Sequence, residues 1–446
     1  MQTPTTAPRR GVLQGLVPTL VLLAVVAIPV IGFLTFRAEP TAVPAPAPVR
    51  SVADRTVVLE ERTAADPGDL EAWQGLAVAY TQRAAIEGDP AFYALAERAL
   101  ERAEELGPDA PMTILARGNL ELSLHRFADA RRTAERAVVA LPASAEAHGL
   151  AVDAAAELGD YAAAAESLQT MLDLDPGLPA LARASYLREL HGDLAGAITA
   201  MQQAEQAGSA VPGDRAAVTS LLGDLHRRGG DLSAAEGAYT RALDAVPDFV
   251  PAQLGLIRIS AVRTSPAAAA EELAALVDEL PRLDAVLLLA DLREAAGDAE
   301  GRASALELAR AMAALQQDAG QVVDLELALL EADHGDPDVA VELATAAFES
   351  RPDNIYAADA LAWALHRAGR SDEAGPIVER ALRLDTADPL LRFHAAAVTA
   401  AGDEDRARAL LTSALELDPW FSFALLDELR ELADRLDVPV PAAAAT

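Results

Sequence analysis

The sequence predicts an all-α solenoid, a row of helical hairpins in which each hairpin packs against its neighbours. The chain repeats every 34 residues, as the spacing of Pro108, Pro142 and Pro176 shows. Its composition is 52% hydrophobic but only 4% aromatic, which suits closely packed helices. A fixed period of this length indicates units that bury their apolar faces only against one another. We therefore expect an elongated array that displays a surface and encloses no pocket.

An uncharged apolar run, residues 11–36, follows a short N-terminus, residues 1–10, that ends in two arginines. A helix over this run would be about 39 Å long, and a hydrocarbon core is about 30 Å thick. We predict one N-terminal transmembrane helix that is not cleaved. Because the arginines precede the run, the N-terminus is expected to stay in the cytoplasm and the repeats to face the outside.

Two other interpretations of this run stay open. A cleaved secretory signal would release the chain, and small residues around Ala45 could accommodate a peptidase. The apolar cores of such signals are shorter, usually about 7–15 residues. The pair Arg9-Arg10 also resembles a twin-arginine export signal, although arginines flank ordinary transmembrane helices equally well.

The rest of the chain divides into three parts. Residues 37–53 are predicted to be a linker, because prolines alternate there with small residues and such segments are extended spacers. Residues 54–437 hold the repeats, about nine or ten of them. Residues 438–446 begin Val-Pro-Val-Pro and continue in alanines, and we predict a disordered tail.

Two kinds of residue mark the helix ends of the repeats. Prolines disfavour continuation of the preceding helix, and those expected directly after helices are Pro67, Pro108, Pro142, Pro176, Pro247, Pro281, Pro352 and Pro419. Glycine caps a helix and a following Asp or Ser caps the next one; the glycines expected between paired helices are Gly159, Gly192, Gly230, Gly297, Gly335, Gly369 and Gly402. The first unit holds about seven extra residues near Gly88, because Pro67 and Pro108 lie 41 residues apart.

These units resemble the tetratricopeptide repeat. That family places large residues at positions 4, 7, 11 and 24, small residues at 8, 20 and 27, and proline at 32. The first unit supplies Trp73, Leu76, Ala77, Tyr80, Ala96, Leu100, Ala103 and Pro108, and the fifth supplies Leu222, Gly223, Ala235, Tyr239, Ala242 and Pro247. The resemblance implies a right-handed superhelix of helix-turn-helix repeats. An N-terminal apolar run followed by these repeats looks like the membrane-anchored or exported bacterial members of the family.

The resemblance also implies a partner-binding concave face. In the family, positions 2, 5, 9 and 12 of each first helix line a groove. The residues that we predict to lie there are Gln74, Asn119, Tyr186, Glu189, Asp224, Arg227, Arg258, Tyr356, Asp359, Trp363, His366 and Arg367. Trp and Arg are typical interface anchors, but Trp363 could instead pack on the next unit. Trp420 and Phe421 are expected to begin a terminal helix that seals the array.

Catalytic and metal chemistry are not expected. The chain has no cysteine and all 36 basic residues are arginine, which excludes disulfides, thiolate metal sites and Schiff bases. Histidines such as His191 and His334 are spread along the stack with no zinc-binding spacing. Adjacent acids such as Glu104 and Glu105 point away from each other on a helix and lack the opposed geometry of a catalytic pair. We predict no cofactor and no enzymatic activity.

The charge of the chain bears on its partners. Residues 38–446 hold 33 arginines against 69 acidic residues. A negative field repels phosphate backbones, so nucleic acid is not expected as a partner; a basic protein or peptide fits better. We predict a membrane-tethered, non-catalytic scaffold that binds a protein or peptide outside the cytoplasm. The alternatives are an assembly factor or chaperone for an exported complex, such as cytochrome maturation or envelope machinery, an accessory subunit of a separate enzyme, and a binder of small anionic ligands, which the charge disfavours.

Overall fold

The computed structural model describes residues 51–441. The predicted transmembrane run, almost all of the linker and the last five residues lie outside the described residues. Among the helices of residues 51–441, none combines the length and the hydropathy that a bilayer crossing requires.

The described residues form 22 helices and no strand. The helices are α1 (Val52–Ala65), α2 (Leu70–Glu87), α3 (Ala91–Leu106), α4 (Pro111–Ser123), α5 (Phe127–Ala140), α6 (Ala145–Glu157), α7 (Tyr161–Leu174), α8 (Leu178–Glu189), α9 (Leu194–Ala207), α10 (Pro212–Arg228), α11 (Leu232–Ala245), α12 (Val250–Arg263), α13 (Pro266–Glu279), α14 (Leu283–Ala295), α15 (Ala299–Asp318), α16 (Asp324–His334), α17 (Pro337–Ser350), α18 (Ile355–Arg367), α19 (Ser371–Ala381), α20 (Pro389–Thr399), α21 (Glu404–Leu417) and α22 (Leu426–Leu436). Helices α2 to α21 pair into ten hairpins, units 1 to 10, between α1 and α22.

The predicted helix ends are confirmed in detail. Each of the eight predicted prolines directly follows the residue that caps the end of a helix. Asp175, for example, caps α7 and precedes Pro176. Five of the seven predicted glycines adopt the left-handed conformation, where a β-carbon is costly. Gly335 has a φ of −130° instead. At the start of α7, the carboxylate of Asp160 accepts a hydrogen bond from the Ala163 N–H at 3.2 Å, as expected of an N-cap.

The extra residues of unit 1 mostly lengthen its first helix. Helix α2 has 18 residues and is capped by Gly88, whose φ is +70°. The carbonyl oxygens of Ala85 and Ile86 accept hydrogen bonds from Nη1 of Arg282, at 2.8 and 3.1 Å. The insertion therefore reaches a unit that is far away in the sequence.

Small residues let the paired helices approach closely around large ones. The ring of Tyr239 is fully buried and lies against Gly223 and Gly255, where a β-carbon would come within 2.5 and 2.3 Å of ring atoms. Its hydroxyl donates a hydrogen bond to Oδ1 of Asp224 at 2.7 Å. A larger residue at either position would therefore displace the ring.

One prediction about the architecture is wrong. We expected each unit to contact only its neighbours, yet units five to six positions apart also meet. The residues that meet are 191 to 197 positions apart: Arg282 with Ile86, Arg126 with Gly320, Asn354 with Glu157, and Arg227 with Asp418. The superhelix therefore completes one turn in about six units, and its second turn rests on its first. We call this line of contacts the seam.

Backbone at the seam approaches too closely for side chains on both sides. A β-carbon on Gly159 would overlap the carbonyl of Asp353, and one on Gly192 would overlap the carbonyl of Asp385. The side chain of Arg383 donates a hydrogen bond to the Gly159 oxygen at 2.9 Å. Apolar residues of both turns join in one cluster, which includes Val152, Tyr161, Leu187, Ile355, Trp363 and Leu391. The rotation from unit to unit has thus closed the array into a compact body.

The end of the array also departs from prediction. Residues 420–425 are not helical, and α22 begins only at Leu426, so Trp420 and Phe421 do not start the terminal helix. The predicted disordered tail begins in contact with the body, since Val438 is buried and its N–H donates to the Ala433 oxygen at 2.9 Å. Apolar burial fixes these residues in place.

Candidate partner-binding groove

First helices of consecutive units pack against one another, and the predicted groove residues all lie on these first helices. None of the twelve is exposed. Five are buried, namely Gln74, Glu189, Tyr356, Asp359 and Trp363, and seven are half-buried, namely Asn119, Tyr186, Asp224, Arg227, Arg258, His366 and Arg367. Most of these side chains contact residues of their own unit or of a consecutive unit, and Arg227 reaches across the seam.

Tyr186, Glu189 and Tyr356 are brought together across the seam. The Tyr186 hydroxyl donates a hydrogen bond to Oε1 of Glu157 at 3.3 Å, and Glu189 pairs with Arg228. Burial raises the pKa of Tyr356 well above its usual value, and Tyr186 and Glu189 are among the groups that act on it. Its hydroxyl has no hydrogen-bond partner among the described residues. This part of the axis is a dense polar cluster rather than an open groove.

Trp363 is the centre of a second cluster. It is fully buried, its ring stacks on that of His394 at 4.2 Å, and its Nε1 donates to Oδ1 of Asp333 at 2.7 Å. His394 Nδ1 lies 3.0 Å from Oδ2 of Asp359. Burial lowers the pKa of His394, but Asp359 and Asp333 outweigh it, so the pKa is raised. Trp363 therefore packs on the next unit, which was the alternative to an interface anchor.

A third cluster surrounds the arginines of units 5 and 6. Nη1 of Arg227 lies 2.5 Å from Oδ2 of Asp418, which belongs to the C-terminal end of the array. Burial lowers the pKa of Arg258, and this guanidinium forms no ion pair within residues 51–441. A small cavity of about 10 Å³, with room for one water molecule at most, is lined by Arg227, Leu232, Arg258, Val262, Asp418, Trp420 and Phe423.

The remaining predicted residues lie apart from these clusters. Gln74 Nε2 donates to Oγ1 of Thr113 at 2.9 Å, and Asn119 bonds to a carbonyl of its own helix. His366 contacts the Ser371 hydroxyl, and Arg367 pairs with Glu428 of α22. No group of three or more His, Asp or Glu side chains in the described part of the chain is arranged to hold a metal ion.

Several important residues of the axis were missed by sequence reasoning. Some had a usable signal, since they lie about one repeat from their partners. Examples are Asp153 with Arg183, Asp333 with Trp363, and Asp359 with His394, which are 30, 30 and 35 residues apart. Asp418 had no such signal, because it meets Arg227 across the seam.

Asp388 leads to a testable pH dependence. Its carboxylate is buried and caps α20 by accepting the Leu390 N–H at 2.8 Å. Burial, together with Asp359, raises the pKa of Asp388 to about 7. An unfolded Asp has a pKa of about 3.9, so the folded state binds more protons between these values. Stability therefore falls as the pH rises through this range.

We expect Asp388→Asn to remove this decline while keeping the cap, since Asn is an equally good N-cap. Relative to the wild type, the variant should gain between about 1 and 4 kcal/mol on going from pH 4 to pH 8. Urea denaturation at the two pH values measures this gain. An equal difference between the two proteins at both pH values would show that Asp388 has an ordinary pKa.

Comparison with known proteins identifies the repeats. The sequence profile of the tetratricopeptide repeat matches residues 115–179, 181–249, 220–284 and 325–389, more than half of the chain. The chain belongs to the tetratricopeptide repeat (TPR) family. TPR proteins are typically non-catalytic scaffolds that bind proteins or peptides. No curated protein matches this TPR protein.

Solved structures of other TPR proteins are similar to this one. A thermophilic TPR protein of Thermus thermophilus, TTC0263, is 16% identical, with a TM-score of 0.35, and the match covers 46% of this chain and 96% of that one. YrrB, described as a TPR protein with an unusual peptide-binding site, is 17% identical over 44% of this chain and 97% of its own, with a TM-score of 0.26. A chain of the APC/C hetero-tetramer Cut9-Hcn1 is 13% identical over 86% of this chain and 93% of its own, with a TM-score of 0.38. These overall similarities are low, and the assignment to the family rests on the profile.

Proposed function

We propose that this TPR protein is a non-catalytic scaffold that binds a protein or peptide, tethered to a membrane by residues 11–36 with its repeats outside the cytoplasm. The observation that carries the binding role is the stack of ten TPR hairpins. Their first helices carry the charged and aromatic side chains of the predicted concave face, and such side chains anchor protein interfaces. The tether and the orientation rest on the apolar run and on the arginines before it.

The pairing of charges along the axis supports a structural and recognition role over catalysis. Arg183 forms a bidentate ion pair with Asp153, in which Nε lies 2.8 Å from Oδ1 and Nη2 lies 2.5 Å from Oδ2. Glu189 is paired with Arg228. Such pairs join first helices of consecutive units. Arg258 differs, because no acidic residue among the described ones forms an ion pair with it, although Asp291 and Asp224 act on it from a greater distance. We infer that a partner's carboxylate could bind this guanidinium.

Affinity capture with the full-length protein tests the binding role. We expect Arg258→Gln to lower the recovery of specific clients by roughly fivefold, since losing an interface arginine costs at least about 1 kcal/mol. The matched control is Arg241→Gln, which removes an exposed arginine on α11. Equal recovery with both variants would contradict a client site on the concave face, and recovery of no specific protein by the wild type would contradict the scaffold role.

Protease treatment of intact cells tests the tether and its orientation. With the outer layer permeabilised, the repeats should be digested while a cytoplasmic marker survives. Alkaline extraction should leave the wild type with the membrane and release a variant that lacks residues 11–36. Protected repeats would mean that the orientation is inverted, and release of the wild type would mean that there is no tether.

A further inference from the structure

One buried carboxylate at the seam lacks the arginine partner that others have. The ion pairs of the seam region are Glu157 with Arg351, Glu189 with Arg228, and Asp418 with Arg227. The side chain of Asp388 is also buried, but its Oδ1 accepts only backbone N–H groups, those of Leu390 and Leu391. Within residues 51–441, Asp388 forms no ion pair. A buried carboxylate without a cationic partner is costly to ionise.

Asp388 lies where the second superhelical turn rests on the first. The carbonyl of Asp385, three residues before it, leaves no room for a β-carbon on Gly192 of the first turn. Leu391, three residues after it, shares an apolar cluster with Leu187 of the first turn. Asp388 is therefore buried beside the contact between the turns, and separation of the turns would let water reach its carboxylate.

The groups around Asp388 leave its negative charge poorly compensated. Those that interact with it electrostatically are Asp359 and Tyr356 of α18, Arg228 of α10, and Arg392 and His394 of α20. Arg228 lies across the seam, but its ion-pair partner is Glu189. Burial and the nearby Asp359 outweigh the attraction of Arg228, so the pKa of Asp388 is raised to about 7.

The direction of the pH effect follows from this burial. A carboxylate in water has a pKa of about 3.9, so Asp388 in a closed seam binds a proton more readily than Asp388 in an open one. A rise in pH between the two pKa values therefore shifts the equilibrium toward the open seam. From pH 6 to pH 8, the ratio of open to closed protein should rise about tenfold.

We propose that the seam is a pH-sensitive latch, in which protonated Asp388 keeps the two superhelical turns together and its ionisation lets them separate. The hairpins stay folded when the latch opens, because each one also packs on the consecutive units. This inference concerns the shape of the array and goes beyond the proposed binding function. It requires no partner.

Hydrogen exchange, measured by NMR on the full-length protein, tests the latch. The amide of Ile355 donates to the Tyr161 hydroxyl across the seam at 3.3 Å, so it exchanges when the turns separate. We expect its protection factor, corrected for the intrinsic effect of pH on exchange, to fall about tenfold between pH 6 and pH 8. Low concentrations of urea should change this protection little, because opening the seam exposes much less surface than global unfolding does.

Asp388→Asn is the matched control, since Asn caps a helix equally well but cannot ionise. The protection of Ile355 should then be the same at both pH values. If this variant does not fold, Asp388→Ser, which also keeps a capping side chain, takes its place. His191 beside the seam stays neutral in this range, because burial lowers its pKa to about 3.

Three results would overturn the proposal. They are a protection factor of Ile355 that does not change with pH in the wild type, an equal fall in the wild type and the control variant, and a strong dependence of the exchange on urea. The second result would assign the titration to another group of the seam, and the third would show that the turns separate only when the whole protein unfolds. None of these measurements involves a client, so they leave the proposed binding function to its own test.

Discussion

Replacing Gly159 by alanine is expected to lower the free energy of unfolding by about 3 kcal/mol or more. Gly159 has a φ of +80°, and an L-residue in that conformation costs roughly 1–2 kcal/mol. In addition, the new β-carbon would overlap the carbonyl of Asp353 and the amide of Asn354. Both obstacles are backbone atoms, which cannot rotate away as a side chain could. The two superhelical turns must therefore separate locally, which also disturbs the hydrogen bond from Arg383 to the Gly159 oxygen.

Gly369→Ala is the matched control for this prediction. Gly369 occupies the corresponding loop of unit 9 with a φ of +73°, and a β-carbon there would meet no atom within 4 Å. It should cost only about 1–2 kcal/mol, the conformational part alone. Urea denaturation of both variants isolates the contribution of the seam. Equal losses of stability would mean that the superhelical turns do not touch at Gly159.

Trp363→Ala is expected to destabilise the protein by about 3–5 kcal/mol, the range for removal of a large buried aromatic side chain. The indole is fully buried and stacks on the ring of His394. Its loss also leaves the Asp333 carboxylate without the indole donor, in a place where burial already raises the pKa of Asp333. The expected phenotype is therefore a loss of stability rather than a selective loss of binding.

Trp73→Ala provides the comparison. Trp73 is half-buried, and its Nε1 donates to the Pro67 oxygen at 3.1 Å in an exposed position. Since only part of the ring is buried, we expect a loss of about 1–2 kcal/mol. Thermal unfolding and client capture should be measured on both variants. A Trp363→Ala protein that is as stable as the wild type but no longer captures clients would show that Trp363 is an interface anchor after all.

The repeated helices could be predicted from the sequence because their signals are local. Pro176 ends α7, Gly159 permits the loop before it, and Asp160 caps its start. Each of these acts within a few residues and recurs at a fixed period. The assignment of the predicted groove residues to the first helices was also predictable, because the repeat length defines which helix of each unit a residue belongs to.

The seam could not be predicted in the same way. Its contacts join residues nearly 200 positions apart, and they depend on a small rotation per unit accumulated over more than five units. A difference of a few degrees in each unit would separate the superhelical turns. No single residue encodes that rotation, although glycines at Gly159 and Gly192 permit the close approach once it occurs.

The conformation of residues 420–425 could not be predicted for a related reason. Trp420 and Phe421 follow Pro419 as the first helix of another repeat would, so the sequence pattern favoured a sealing helix. The contacts that hold this segment come from Arg227 and from the apolar residues of unit 6. These groups are adjacent to it only because the superhelix closes.

The closed superhelix can be tested most directly by measuring a distance across the seam. The chain contains no cysteine, so spin labels can be attached at Ile86→Cys and Pro281→Cys, two exposed positions that flank the contact between Gly88 and Arg282. Double electron–electron resonance on the full-length protein should give one short and narrow distance distribution. A long or broad distribution in the folded protein would show that the superhelical turns are apart and would contradict the closed arrangement.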